Sequence, residues 1–314
     1  MTARGGKSHG ALGDKIFAGA VLGAGLFVLV LLGAIIVSLG IGGEAAFARF
    51  GVLGFLVSSD WDPVQQVFGA LVPVVGTLAT SLLAILLAVP LAFGVAVTLT
   101  ELAPEWVRRP VGIAIELLAA VPSIIYGMWG FFVVVPVMSN FVQPFLTDLL
   151  GDIPVIGTLF QGAPFGTGIF TASLILAIMI LPFIAATMRD VFATVPAIYK
   201  ESAYGLGCTT WEVMRSIVLP NTRTAVVGGI MLGLGRALGE TMAVTFVVGN
   251  ADRLPESLYS GTNTIASLVA LEFAESQAGS LKLSSLLALG LILFAISFVV
   301  LAISRVLLRP RGGR

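Results

Sequence analysis

Apolar residues gather along this chain in long blocks separated by shorter polar stretches. Six blocks reach the roughly 18 residues a helix needs to cross a bilayer. They cover about 16–41, 71–100, 111–137, 167–188, 224–249 and 285–306, and each predicts a transmembrane helix. The first follows Lys7 and Lys15, as a secretory leader would. Its apolar stretch outruns a leader's core and shows no convincing cleavage site, so it reads as a retained span. Ala45–Val57 and Phe141–Phe160 are too short or too interrupted to cross, and are expected to lie along the membrane or over the bundle. Pro73, Pro90, Pro122, Pro136 and Pro182 fall in or at the ends of spans, where each removes a backbone donor and can kink the helix.

Composition agrees with the blocks. The 314 residues are 57% AVILMFWYC and 11% charged, with a mean hydropathy of +1.04. Soluble domains carry about 25% charged residues, so this is an integral membrane protein. With 17 basic against 17 acidic residues there is no surplus to neutralise nucleic-acid phosphates. A single cysteine, Cys208, excludes an internal disulfide, and with the lone His9 it excludes an ordinary zinc site, so no metal and no cofactor is expected. Gly6-Lys7-Ser8 resembles the end of a phosphate-binding loop, but its earlier glycine would fall at Met1 and no strand precedes it. The chain therefore has no visible ATPase of its own.

Basic residues set the orientation. With a cytoplasmic N-terminus, Arg4, Lys7, Lys15, Arg108, Arg109, Arg189, Lys200, Arg215, Arg223, Arg305, Arg309, Arg311 and Arg314 face inward, against Arg49, Arg253 and Lys282 outside. Thirteen against three is the asymmetry expected when both termini are cytoplasmic. The chain then divides into a tail over 1–15, a six-helix domain over 16–306 and a tail over 307–314.

The longest inner segment, 189–223, has apolar Ile198, Ala203, Leu206, Val213, Ile217 and Leu219 among charged Lys200, Glu201, Glu212 and Arg215. This predicts short amphipathic helices broken near Gly205 and Gly207, offering a partner an apolar face or serving as a solvated connector. In the fifth block, Arg236 and Glu240 are four residues apart. On a continuous helix, at about 100° per residue, they lie within roughly 40° of each other, close to a stripe of Gly229, Gly233 and Ala243. A charge at mid-membrane costs about 2.5–3.5 kcal/mol on insertion scales, so each needs a mate, a partner or a watery path. A structural salt bridge is one account. Because two apolar residues would pack without the desolvation cost, a path for an anion is the better one.

Glu201, Ser202, Ala203, Gly207, Ile217, Leu219 and Pro220 fall at the spacing of the EAA loop of ABC importer permeases, with Ser202 replacing one small residue by another. Gly233 to Ala243 and Pro122-Ser123-Ile124-Ile125-Tyr126-Gly127 resemble the phosphate-specific permeases of that class. The resemblance covers nearly the whole chain. It implies an all-α integral membrane protein with the type I ABC importer permease (MetI-like) fold, in which Glu201, Ser202, Ala203 and Gly207 form a coupling helix docking on an ATPase. It also implies that Arg236 and Glu240 are needed for phosphate transport. The partners implied are a second, homologous permease subunit, two copies of a cytoplasmic ATPase, an external phosphate-binding protein and the lipid bilayer of a prokaryotic plasma membrane. The chain itself would be a transport subunit and not an enzyme.

The chemistry fits an anion. Arginine's planar fork donates two hydrogen bonds to phosphate and stays charged. A carboxylate accepts a hydrogen bond from protonated phosphate and repels sulfate. Arg236 is expected to attract the anion, and Glu240 to hold the guanidinium and select protonated phosphate. Tyr126 and Ser123 could line the path with hydroxyls, or Tyr126 could simply anchor packing. Glu116, near Arg108 and Arg109, is expected to be structural; Arg189-Asp190 a cap of the fourth span; and Cys208 a small residue beside the coupling helix. Other readings are a permease for sulfate or molybdate, an ion-coupled carrier using Glu240 as a proton site, and a membrane scaffold.

Overall fold

The computed structural model describes residues 10–154 and 156–307, most of them helical. Gly6-Lys7-Ser8 and most of the two tails lie outside the described residues. Six helices are long and apolar enough to cross a membrane: Gly13–Phe50, Leu71–Leu102, Ser123–Leu150, Ile169–Ala193, Thr210–Leu238 and Leu281–Val306. They are called spans 1 to 6.

Span 4 is the axis of the bundle, with Ile175, Leu176, Ile180, Ile184, Met188 and Phe192 fully buried. Span 2 lies along it with Ala84, Ala88, Ala92 and Ala96, all at 0% exposure. Residues four apart share a helix face, so these alanines form one smooth stripe. Lipid gives apolar residues no reason to leave it for protein, so such helices hold together through close van der Waals contact, which small side chains allow. Span 5 meets the other side of span 4 in the same way. A Cβ added at Gly233 would reach Ile184 at 2.8 Å, and one at Gly229 would reach Thr187 at 2.7 Å. Span 1 packs against span 6 and is otherwise exposed.

Beyond an earlier start of span 5, at Thr210, and a later end of span 3, which takes in Phe141–Leu150 of the segment expected not to cross, three boundaries differ from the hydropathy reading. Helix 1 continues to Phe50, taking in part of the segment expected as a loop. The third block divides in two. Glu105–Ala119 is a separate amphipathic helix, and span 3 starts at Ser123 and runs to Leu150. The divide falls at Val121-Pro122, where Pro122 is extended (φ −57°, ψ 136°) and proline disfavours helical backbone in the residue before it. Span 3 passes Pro136 through wide π-type turns at Gly130–Val134 and Met138–Val142, which absorb the missing donor. The third difference lies in span 5, at the charged residues themselves.

The end of the bundle away from the 189–223 segment is closed by a second, smaller core. A two-residue hairpin pairs Trp61-Asp62 with Val67-Phe68. Its Trp61 and Phe68 rings meet edge to face at 4.9 Å. The Trp61 indole N–H donates to both carboxylate oxygens of Glu272 at 3.1 Å, and Lys282 pairs with the same carboxylate at 3.2 Å.

Candidate translocation and coupling sites

Span 5 runs unbroken from Thr210 to Leu238 and then stops. Gly239 turns out of the helix (φ −92°, ψ 3°), Glu240 and Thr241 belong to no helix, and a short helix, Met242–Val247, starts again beyond them. Arg236 therefore lies in the last turn of one helix, and Glu240 in the gap before the next. The expected pairing of the two does not form: no ion pair joins Arg236 and Glu240 among the described residues. Glu240 instead accepts a hydrogen bond from the Ala243 backbone N–H at 3.2 Å, stabilising the restart of the chain. The break is the physical reason, since the i,i+4 geometry assumed a continuous helix.

The depth of Arg236 follows from the packing. Gly229 lies beside Thr187 and Gly233 beside Ile184, so one turn further brings Arg236 to the level of Ile180, near the middle of span 4. Arg236 is exposed on the chain's surface, and its guanidinium has no hydrogen-bonding or ionic partner among the described residues. Gly229 and Gly233 are buried against span 4, so the glycine stripe is a packing seam and does not carry the charges. An unpaired guanidinium at mid-depth costs about 2.5–3.5 kcal/mol in hydrocarbon on insertion scales, which favours a position against water or another polar surface.

Span 3 supplies the adjoining wall. Ser123–Trp129 packs on Met242–Val247 so closely that a Cβ at Gly127 would lie 2.9 Å from Ala243 Cα and 3.1 Å from the Met242 carbonyl oxygen. Tyr126, at 9% exposure, donates its hydroxyl hydrogen to the Leu118 carbonyl at 2.9 Å and lies within coulombic reach of Arg236. Ser123 is half-buried at the start of the span. The structure thus brings Tyr126 and its neighbours up to the break that holds Arg236 and Glu240. Tyr126 tethers span 3 to Glu105–Ala119, a role in which its O–H is already engaged.

At the opposite end of span 5, Ala197–Gly205 forms a helix joined to span 4 through Thr194–Pro196. Its end is a tight reversal in which Leu206 N–H donates to Ser202 and Ala203 and Gly207 N–H donates to Tyr204. Gly207 has φ +87°, a conformation that favours glycine, which accounts for glycine six residues after Glu201. Thr209 and Glu212 then cap each other's backbone at the start of span 5. Of the four residues read as coupling, Glu201, Ser202 and Gly207 are exposed, while Ala203 is buried against the chain's own core at 6%. Ile198, Tyr199, Leu206 and Trp211 are exposed by 55–87%, an apolar surface beyond what the motif named. Tyr199 and Trp211 were readable only as large apolar side chains flanking it. Cys208 is partly buried beside this helix.

Two ion pairs at this end join residues far apart in sequence. Arg189 pairs with Glu116 at 2.7 Å as well as with Asp190 at 2.9 Å, so span 4 is clamped to Glu105–Ala119 and Arg189 does more than cap its own helix. Lys200 pairs with Glu101 at 2.6 Å.

Residues 84–311 match the family model described as a binding-protein-dependent transport system inner membrane component. Similar relatives include the phosphate transport system permease protein PstC of Pasteurella multocida, 63% identical over 90% of this chain and 88% of that protein. The protein of the same name from Mesorhizobium japonicum is 54% identical over 97% and 92%. Among solved structures, a chain of a bacterial ABC transporter for import of alginate matches with TM-score 0.60 at 17% identity, covering 96% of this chain and 99% of that one. A chain of the inward-facing MetNI methionine transporter matches with TM-score 0.56 at 16% identity, covering 80% and 100%. On this fold and these relatives, the chain belongs to the binding-protein-dependent transport system inner membrane components, among the phosphate transport system permease proteins, and is a multi-pass transport component with the MetI-like permease fold.

Proposed function

We propose that this chain is one half of the membrane pathway of an ATP-driven importer of inorganic phosphate, with Arg236 on the anion's route and the Ala197–Gly205 helix seated on an ATPase subunit. The observation that carries the reading is the unpartnered, exposed guanidinium at mid-depth, beside a helix break. Its free donors suit two phosphate oxygens. Glu240 uses Oε1 on Ala243, and its other oxygen suits the proton of a protonated phosphate, which sulfate lacks near neutral pH. The relatives named as phosphate permeases support phosphate over other oxyanions.

In this reading both tails and the 189–223 segment are cytoplasmic, as the basic residues favour. A second, homologous permease covers Arg236, two ATPase copies engage the two coupling helices, and an external binding protein delivers phosphate. ATP binding and hydrolysis then alternate access to the path between the two sides. In proteoliposomes holding the assembled importer, Arg236→Gln is expected to reduce ATP-dependent phosphate uptake to background while the ATPase still co-purifies. Unchanged uptake would remove Arg236 from the route, and preferential uptake of sulfate or molybdate by the unaltered complex would overturn the substrate assignment.

A further inference from the structure

The Lys200–Glu101 pair differs from the chain's other ion pairs in where its ends are rooted. Lys200 belongs to the Ala197–Gly205 helix, and Glu101 to the last turn of span 2. Their side chains are 16% and 7% exposed, the most buried pairing of opposite charges among the described residues, with Nζ and Oε1 2.6 Å apart. The ammonium also lies 3.4 Å from the Phe192 carbonyl oxygen, in the last turn of span 4.

This geometry bears on how force passes from the Ala197–Gly205 helix into the bundle. The covalent links are the turn Thr194–Pro196 to span 4 and the reversal through Leu206–Thr209 to span 5, and a short helix held between two turns can pivot about them. The Lys200–Glu101 pair supplies a side-chain attachment to span 2, which is packed along span 4 through its alanine stripe. With that attachment in place, the helix cannot swing without moving spans 2 and 4 together. A buried ion pair is a poor source of stability compared with apolar packing, but it holds one geometry where apolar side chains would slide. We infer that Lys200 and Glu101 are positioning residues forming a strut that converts movement of the docking helix into movement of spans 2 and 4. The inference rests on the reading of Ala197–Gly205 as the ATPase-docking helix.

The test uses the assembled importer, purified with its second permease and ATPase and reconstituted with binding protein, inorganic phosphate and ATP. The readout is ATP hydrolysed per phosphate imported. Lys200→Met and Glu101→Gln are expected to raise this ratio threefold or more with the ATPase still bound. Lys200→Arg and the reversed pair Lys200→Glu/Glu101→Lys are expected to stay below a threefold rise. The strut is overturned if both single neutral variants stay below threefold, if the reversed pair is as uncoupled as they are, or if the neutral variants lose the ATPase altogether, since the pair would then only shape the docking surface. Should the neutral variants not accumulate, Lys200→Arg and the reversed pair carry the same readout, a ratio under threefold supporting the strut and a higher one overturning it. An unaltered complex that imports a different oxyanion would refute the phosphate reading alone, and the ratio would then be measured with that anion.

Discussion

Replacing Arg236 with leucine separates a structural arginine from one kept for transport, because the two predict stability changes of opposite sign. The guanidinium is exposed near mid-depth with no partner among the described residues, so on insertion scales it costs about 3 kcal/mol. Its place in the last turn of a helix returns about 0.3–1 kcal/mol through the helix dipole. The net expectation is that Arg236→Leu stabilises the isolated chain by about 2 kcal/mol while uptake by the assembled importer is lost. Unfolding the isolated chain by detergent titration in mixed micelles, for both forms, measures the difference directly. A destabilisation of more than about 1 kcal/mol would refute the reasoning, since removing a partnered charge is what destabilises.

Three glycine-to-alanine changes should rank by what the new methyl meets. Gly127→Ala strikes backbone at Ala243 and Met242 and should cost about 1–3 kcal/mol, with lowered uptake, whereas Gly233→Ala meets the Ile184 side chain and no backbone and should cost less. Gly235→Ala meets nothing within 4 Å and should be neutral or stabilising by up to about 1 kcal/mol; detergent titration checks all three. Leu206→Asp, at a side chain 87% exposed, should change chain stability by no more than about 0.5 kcal/mol yet sharply reduce co-purification of the ATPase. Desolvation holds the Asp252 carboxyl above its usual pKa, against the opposing hydrogen bond from Asn263. Its charged form therefore costs stability above the folded pKa, a cost relieved as pH falls through that value and absent below the unfolded one. Asp252→Asn should raise the melting temperature at pH 7.5, with the gain vanishing near pH 4.

The bundle was legible because spanning helices need only length and hydrophobicity, and each of the six blocks overlaps one. The division of the third block was legible in principle, since Val121-Pro122 interrupts it, but Ile113, Ile115, Leu117 and Leu118 hide the break by being apolar on an amphipathic helix. Hydropathy has no signal for the stop at Gly239–Thr241. Gly239 is a helix-end signal of local conformation that hydropathy ignores, and beyond it Met242–Val247 packs closely on Gly127. The coupling segment was visible as a motif of local spacing, and its glycine proved to be a left-handed turn. Lys200–Glu101 and Arg189–Glu116 could not be read at all, because 99 and 73 residues separate the partners.

The alanine stripe of span 2 also limits what kind of motion this molecule can make. Four methyl groups set against Ile175 to Phe192 leave little slack to open a gap between the two rods. Spans 2 and 4 are expected to tilt as a single plank, and the opening and closing of any conduit then falls to the seams at its edges, where span 5 rests on Gly229 and Gly233 and span 3 on Gly127 and Gly130.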